Sequence, residues 1–488
     1  MSFQSALDNL DRDSPLIELQ NEEIISAGSL IESLQKDTKS LKLLGVKKLI
    51  IGSEANFENL YSSILGLYSR IKIKFVSNIQ DVSSIHNEEI KKIISKSISL
   101  LSENAFPNHE NNFALGIEFL TKTKKISKNS FELELTTSGT SGNPKTVLLE
   151  ENDLIYQAET VSELLNLMPS SRQFFYMPVN YIYGLSIITT SILSGGCLVI
   201  PRNNIKNPNS FFDELIERDI TVFSGVPYTY NVLSKWGAAK LQKSKLSSLT
   251  QAGGRLRLDT KKKIISSIPN IDFWVMYGQT EFGGRISQYK LDEKIDNQEF
   301  CVGKPLRGIK TFIKSEENES GLGEIFLSSP STCKNINELI KPIEINGEKY
   351  YSTGDVGNLV DGFLYVSDRN KNFIKIGGSR ISSASIQNFF RDFDSIKESF
   401  ICSNIGRTEK ILIGLHSDNF VDIQTQWELS GVIDEKSNLT NILENKPFEI
   451  FLLHGPLPLL DNGKTCIWKI FEIMREASIE KKSLHIWL

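Results

Sequence analysis

The chain is poor in the residues of acid–base and metal chemistry. Its 488 residues include five histidines, His86, His109, His416, His454 and His485, which form no recognisable constellation. Histidine-based proton transfer and a histidine metal site are therefore not expected. The five cysteines, Cys197, Cys301, Cys333, Cys402 and Cys466, lie far apart with no CxxC pair. That spacing argues against a zinc site and a disulfide framework and fits a reducing cytoplasm. No apolar run approaches the roughly 20 residues needed to cross a bilayer. The N-terminal MSFQSALDNLDRDSP is acidic and polar, unlike the apolar core of a secretory signal, so membrane insertion is not expected. Positive charge is not in excess either: 55 Lys and Arg against 59 Asp and Glu leave a formal net charge of -4. No global field draws nucleic acid. The local basic run Lys122, Lys124, Lys125 and Lys128 has no interleaved aromatics and reads as a solvated loop.

What is present is the composition of a globular protein, 40% hydrophobic and 23% charged, with enough length for more than one structural unit. Short β-branched and aromatic runs alternate with helix-like stretches. Strands are expected at 47–53, 71–77, 131–137, 174–179, 197–201, 221–226 and 273–278. Amphipathic helices are expected at NFENLYSSILGLYSR and NDLIYQAETVSELL. This alternation predicts an α/β fold of helix-flanked sheets. From about residue 320 the pattern turns β-rich, with strands at 323–329, 349–353 and 363–369. After residue 370 a further unit follows: a helix at SSASIQNFFRDF, strands SFICSN, EKILIGLHS and FEIFLLHG, and a closing helix near 467–477.

The densest local signal is TSGTSGNPK, Thr137 to Lys145, directly after strand FELELT. Gly139 and Gly142 tolerate tight dihedrals and let the backbone approach a phosphate. Thr137, Ser138, Thr140 and Ser141 add hydroxyl donors, and Lys145 adds charge. A plain Ser/Thr/Gly surface turn would have the same composition but needs neither the strand placement nor the terminal Pro-Lys. Gly139 to Thr146 also nearly matches a Walker loop, which makes a nucleotide-hydrolysing switch the competing reading. Its sixth position is Pro144, which has no N–H to aim at phosphate.

TSGTSGNPK resembles the phosphate loop of the adenylate-forming superfamily, which includes acyl-CoA synthetases, peptide-synthetase adenylation domains and firefly luciferase. Further motifs follow in that superfamily's order. AGGRL, with Gly253 and Gly254, resembles the loop that lies against adenine. YGQTEFGG (277–284) resembles the motif in which the tyrosine stacks on adenine, the threonine contacts the α-phosphate and the glutamate holds magnesium. The resemblance gives those roles to Tyr277, Thr280 and Glu281, with Gly278 among the nucleotide contacts and Thr140 as a further magnesium ligand. In YSTGDVG it makes Asp355 the acceptor for both ribose hydroxyls, a task suited to two oxygens. In DRNKNFIKIGGSRIS it makes Arg369 a second ribose contact and Lys371 a hinge. Lys375, Gly377 and Gly378 become a face presented to the acyl acceptor. In LPLLDNGK, the turn Asn462-Gly463 would present Lys464, the matching catalytic lysine, at a loop tip.

The resemblance covers about residues 130 to 470; earlier residues match only loosely. It implies a core of residues 1–369 that binds ATP and the acid, a large helix-flanked domain with a β-rich subdomain. A small mobile α+β lid, residues 370–488, carries Lys464. The implied reaction is activation of a carboxylic acid as its adenylate, with ATP and magnesium, then transfer to a thiol of coenzyme A or of a carrier protein's phosphopantetheine. An amide or ester synthetase using the same adenylate is the near alternative. Tyr181, Phe282 and Gly283 are the expected acid-pocket residues. Some positions depart from the pattern. Tyr181 stands where a histidine is frequent, Ile182 where amino-acid-activating domains place an aspartate, Thr146 where a glycine usually follows Pro-Lys, and Ile467 where an arginine is common.

Overall fold

The computed structural model describes residues 2–44, 46–52, 54–76, 115–119, 131–137, 145–203, 205–268, 270–291, 300–315, 323–369, 373–376, 379–391, 396–404, 410–417, 443, 447–458, 467–479 and 485–487. Among them the strands form a 14-stranded sheet, a 5-stranded sheet, a 4-stranded sheet and a two-stranded hairpin. The fold is α/β, as the alternation of elements predicts.

One half of the large sheet is parallel. Pro15–Glu18, Cys197–Val199, Arg172–Phe174, Val222–Gly225, Ser248–Gln251 and Asp272–Tyr277 lie side by side. Several of these strands are buried at every residue, the pattern required when both faces are covered. Beyond Tyr277 the pairing turns antiparallel, through Ser287–Lys290, Cys301–Pro305, Phe363–Arg369, Glu348–Val360, Gly323–Ser328 and Lys310–Lys314. The expected strand 349–353 is thus part of the first half of a 13-residue strand, Glu348–Val360. The expected strand 174–179 is instead Arg172–Phe174. The chain turns through Pro178, whose carbonyl lies 2.3 Å from where a Cβ on Gly184 would be, and proline cannot donate to a ladder.

The 5-stranded sheet runs Leu115–Phe119, Val46–Gly52, Lys72–Val76, Glu132–Thr137, Lys145–Glu150. Helix Phe57–Ser69 crosses between two of its parallel strands. Periodicity predicts an amphipathic helix there, yet every residue except Glu58 is buried. Helices Phe3–Asp8 and Ala27–Leu43 cover its outer side. The polar tips are satisfied internally, with the Tyr61 hydroxyl donating to Asp37 at 2.9 Å and that of Tyr68 to Asp8 at 2.7 Å. Phe3 and Leu7 join the main core, so the loosely matching N-terminus is integral to it.

The 4-stranded sheet is Glu398–Asn404, Lys410–His416, Phe448–His454 and His485–Trp487. Its strands alternate strictly. Ile401, Ile411 and Ile413 face helix Ser383–Arg391, while Phe400, Cys402 and Leu412 face helix Ile467–Ile479. A period of two thus builds two cores on one sheet, both separate from the main one. Cys197, Cys301, Cys333 and Cys402 are buried and free. No described helix is long and apolar enough to cross a membrane.

Candidate active site

Several of the expected functional segments leave the carboxyl ends of neighbouring parallel strands. Residues 175–184 follow Arg172–Phe174, AGGRL follows Ser248–Gln251, and YGQTEFGG follows Asp272–Tyr277. Ligands of open α/β sheets bind along this edge, where strand ends open into loops.

Asp355 reaches the same edge from the antiparallel half. It is 3% exposed, and its Oδ2 accepts from the Tyr277 hydroxyl at 2.5 Å and from Gln279 Nε2 at 2.8 Å. Gln279 also donates to the Thr353 carbonyl at 2.8 Å, locking the two motifs together. Gly354, at φ +69°, supplies the left-handed turn before the carboxylate that a side chain would strain. Arg369 lies directly opposite Asp355 in the antiparallel register, so pairing alone brings together the two residues expected at ribose.

Thr280–Phe282 forms one turn of 3-10 helix after the strand. Glu281 is half-buried, and no described residue gives its carboxylate a hydrogen bond or ion pair. Phe282 is fully buried in the main core, a packing role where a pocket residue was expected. Close approach explains the glycines. A Cβ on Gly278 would meet the Gly284 carbonyl at 1.6 Å, and one on Gly283 would meet Ser331 Oγ at 1.9 Å. Gly253 (φ +83°) passes under the Tyr181 hydroxyl, 2.4 Å from where its Cβ would be. Gly254 is exposed beside it, its carbonyl accepting from Gln251 at 2.7 Å.

Thr137 and Lys145 face each other as the last pair of a hairpin. The tip, with Ser138, Gly139, Thr140, Ser141 and Gly142, lies outside the described residues, as do Lys371, Gly377, Gly378 and Lys464. Lys375 pairs with Arg380 in the hairpin Phe373–Ile376 with Ser379–Ser382.

The sequence does not announce what joins the hairpin of Glu132–Thr137 with Lys145–Glu150 to the strand edge. Residues 331–335 act as a strap. Cys333 N donates to the Glu281 carbonyl at 2.9 Å, and Lys334 N donates to the Leu148 carbonyl at 2.8 Å. Asn335 completes the clamp, accepting from Leu148 N at 3.0 Å and donating to the Thr146 carbonyl at 2.9 Å. Burial pushes the Cys333 thiol up to about 12, with the charges of Glu281 and Asp153 adding to it, so it is an inert thiol here. Gln157, on helix Glu151–Leu164, braces the other side. It donates to the carbonyls of Phe282 and Arg285 at 3.2 and 3.0 Å and accepts from Arg285 N at 3.0 Å. In the sequence these residues are unmarked polar positions with no motif.

The family model described as AMP-binding enzyme matches residues 67–336, more than half of the chain. Malonate–CoA ligase from Arabidopsis thaliana is 26% identical over 383 residues, 70% of this chain. That match spans only 60% of the ligase's own length. D-alanine–D-alanyl carrier protein ligase from Bacillus mycoides (strain KBAB4) is 25% identical over 352 residues, 67% of this chain and 68% of the relative. In fold, the chain is similar to O-succinylbenzoate coenzyme A synthetase from Bacillus subtilis in complex with AMP. The TM-score is 0.69 at 17% identity, covering 96% of this chain and 98% of the other. ATP-bound MatB from Rhodopseudomonas palustris gives a TM-score of 0.72 at 16% identity, with 97% and 98% covered. The motifs in their order, the strand edge that gathers them and the matched family model place the chain in the AMP-binding enzyme family.

Proposed function

We infer that the chain activates a carboxylic acid with ATP, as acyl-AMP, and passes the acyl group to a thiol. The observation that carries this reading is the cluster of Tyr277, Gln279 and Asp355 at the carboxyl edge of the parallel strands, strapped to the phosphate hairpin. A carboxylate oxygen of the acid attacks the α-phosphorus, the bond to pyrophosphate breaks, and pyrophosphate leaves with the bonding pair. Little covalent work falls to the protein, so its contribution is positioning and charge neutralisation.

Residues 137–145 hold the β- and γ-phosphates, Thr280 the α-phosphate, Asp355 and Arg369 the ribose, and Tyr277 with Gly253, Gly254 and Gly278 the base. Magnesium, when bound, offsets charge on the departing pyrophosphate. The protein side fits such an ion. Glu281 is half-buried and offers one carboxylate not engaged by described neighbours. Magnesium in phosphate sites takes one or two carboxylates and the phosphates themselves; Thr140 is the second protein ligand in this reading.

Lys464 then bridges acid and phosphate as charge accumulates between them. Residues 370–488 form a lid that turns about Lys371, withdraws Lys464 and brings Lys375, Gly377 and Gly378 toward the adenylate. The thiol sulfur attacks the acyl carbon and AMP leaves. Coenzyme A and carrier-bound phosphopantetheine share that chemistry, and the two curated relatives are named for one of each. The decisive experiment is Lys464→Ala. ATP–pyrophosphate exchange should fall at least about 100-fold, while thioester formation from supplied acyl-AMP survives. Equal loss of both half-reactions would refute this division of labour, and ADP as product would point to the Walker-type alternative.

A further inference from the structure

Arg285 follows the glycine pair of the YGQTEFGG motif and is 3% exposed. Its surroundings are unusual for a buried cation. The guanidinium carbon lies 4.2 Å from the centroid of the Tyr183 ring, and Nε donates to Met276 Sδ at 3.2 Å, a weak acceptor. No described carboxylate pairs with it, and its terminal nitrogens donate to no described acceptor. Nor is the Tyr183 hydroxyl an acceptor for it. That group lies 2.8 Å from the Thr250 carbonyl and 2.6 Å from Thr250 Oγ1, and Thr250 in turn donates to Ser224 at 2.8 Å. Burial pulls the guanidinium below its ordinary value, opposed only by the phenols of Tyr183 and Tyr181.

A ring face offsets part of the desolvation of a guanidinium, but it cannot satisfy a fork of N–H donors. The placement is nevertheless firmly built. Gln157 bonds both the N–H and the carbonyl of Arg285. Gly283 and Gly284, at φ +74° and +120°, make the bend that turns it inward. Tyr181, an expected acid-pocket residue, packs edge-on against Tyr183 at 6.3 Å. The chain thus holds a desolvated, directional cation beside the pocket expected for the acid, five residues beyond Thr280.

We propose that Arg285 receives a second carboxylate of the substrate, so that the enzyme acts on dicarboxylic acids, activating one carboxyl while the other lies on the guanidinium. The proposal rests on the acid-activating reading above and names its substrate class. A carboxylate matches the guanidinium fork bidentately and supplies the missing acceptors. An acid with an apolar end would leave the cation buried and unpaired. That asymmetry rejects an analogue far more strongly than a missing methylene does.

The test is ATP–pyrophosphate exchange by the full chain with aliphatic and aryl acids in matched pairs, each with and without a distal carboxyl. The parent should prefer the diacid of a pair by about 100-fold or more in kcat/KM. Arg285→Met should erase most of that ratio, chiefly through the KM of the diacid, and Arg285→Lys should recover part of it. Equal loss on both members of each pair would mark a merely structural arginine and overturn the proposal. A rise confined to the KM for ATP would assign the cation to the nucleotide and overturn it as well. Exchange without diacid preference in the parent, which needs no variant to fold, defeats this inference alone. Absence of exchange with any acid defeats the acid-activating reading too.

Discussion

Two arginines are buried to the same depth in this chain and do opposite things. Arg218 is 4% exposed and saturated. It bonds Glu18 at 2.6 Å, Glu214 at 3.3 Å, and the carbonyls of Ile200 and Leu19 at 2.5 and 2.6 Å. Arg172 pairs with the other oxygen of Glu18. This cluster ties strand Pro15–Glu18 to helix Pro208–Glu217. Arg285, on the motif-bearing side, has a ring and a thioether in place of acids. Burial alone therefore does not distinguish architecture from chemistry; the completeness of the hydrogen-bond shell does.

The comparison can be broken by substitution. The largest effect is expected at Arg218→Met, which leaves Glu18 and Glu214 buried with one cation fewer. Stability should drop by about 3–5 kcal/mol, read as a lower denaturation midpoint, and a drop under about 1 kcal/mol would refute the structural role.

An intermediate effect is expected at Asp153, which sits between the two cases. Burial first, and then the charge of Glu150, push its carboxyl up to about 6, against the backbone N–H groups of Glu150 and Thr332. Its folded value thus lies above its unfolded value of 3.8. The stability it contributes is fully present below the unfolded value and is lost as pH rises through about 6. Asp153→Asn should be about 1–2 kcal/mol more stable than the parent at pH 7–8, converging with it below pH 4. Parallel pH profiles would contradict this.

The smallest effect is expected at Arg285→Met, whose stability should stay within about 1 kcal/mol of the parent because no partner is orphaned. A loss as large as that at Arg218 would make the two arginines equivalent and remove the contrast.

The motifs of the candidate site were legible in the chain, because the chemistry they are proposed for is local. The phosphate and ribose binding proposed for TSGTSGNPK, YGQTE and TGD needs particular residues within a few positions of one another, and such clusters are visible as motifs. The expected strands 131–137 and 273–278 appear within a residue, and SFICSN is the strand that it was expected to be. The hairpin partner Lys145–Glu150, the strand Pro15–Glu18 and the full length of Glu348–Val360 were not legible. Their pairing depends on neighbours far along the chain, and their residues fit several roles. Phe282 also misleads, since an aromatic beside a motif reads as pocket lining but packs as core.

By itself the sequence determined the α/β class and the order of the motifs, because periodicity and short motifs are properties of adjacent residues. Only the tertiary structure decided that Asp355 meets Tyr277 and Gln279 across 78 and 76 positions, and that a strap of ordinary residues joins strand Lys145–Glu150 to Glu281. It alone decided that one arginine is neutralised while the other is not. The physical reason is the same each time: hydrogen bonds and desolvation depend on what lies within a few ångströms in space, and separation along the chain does not encode that distance.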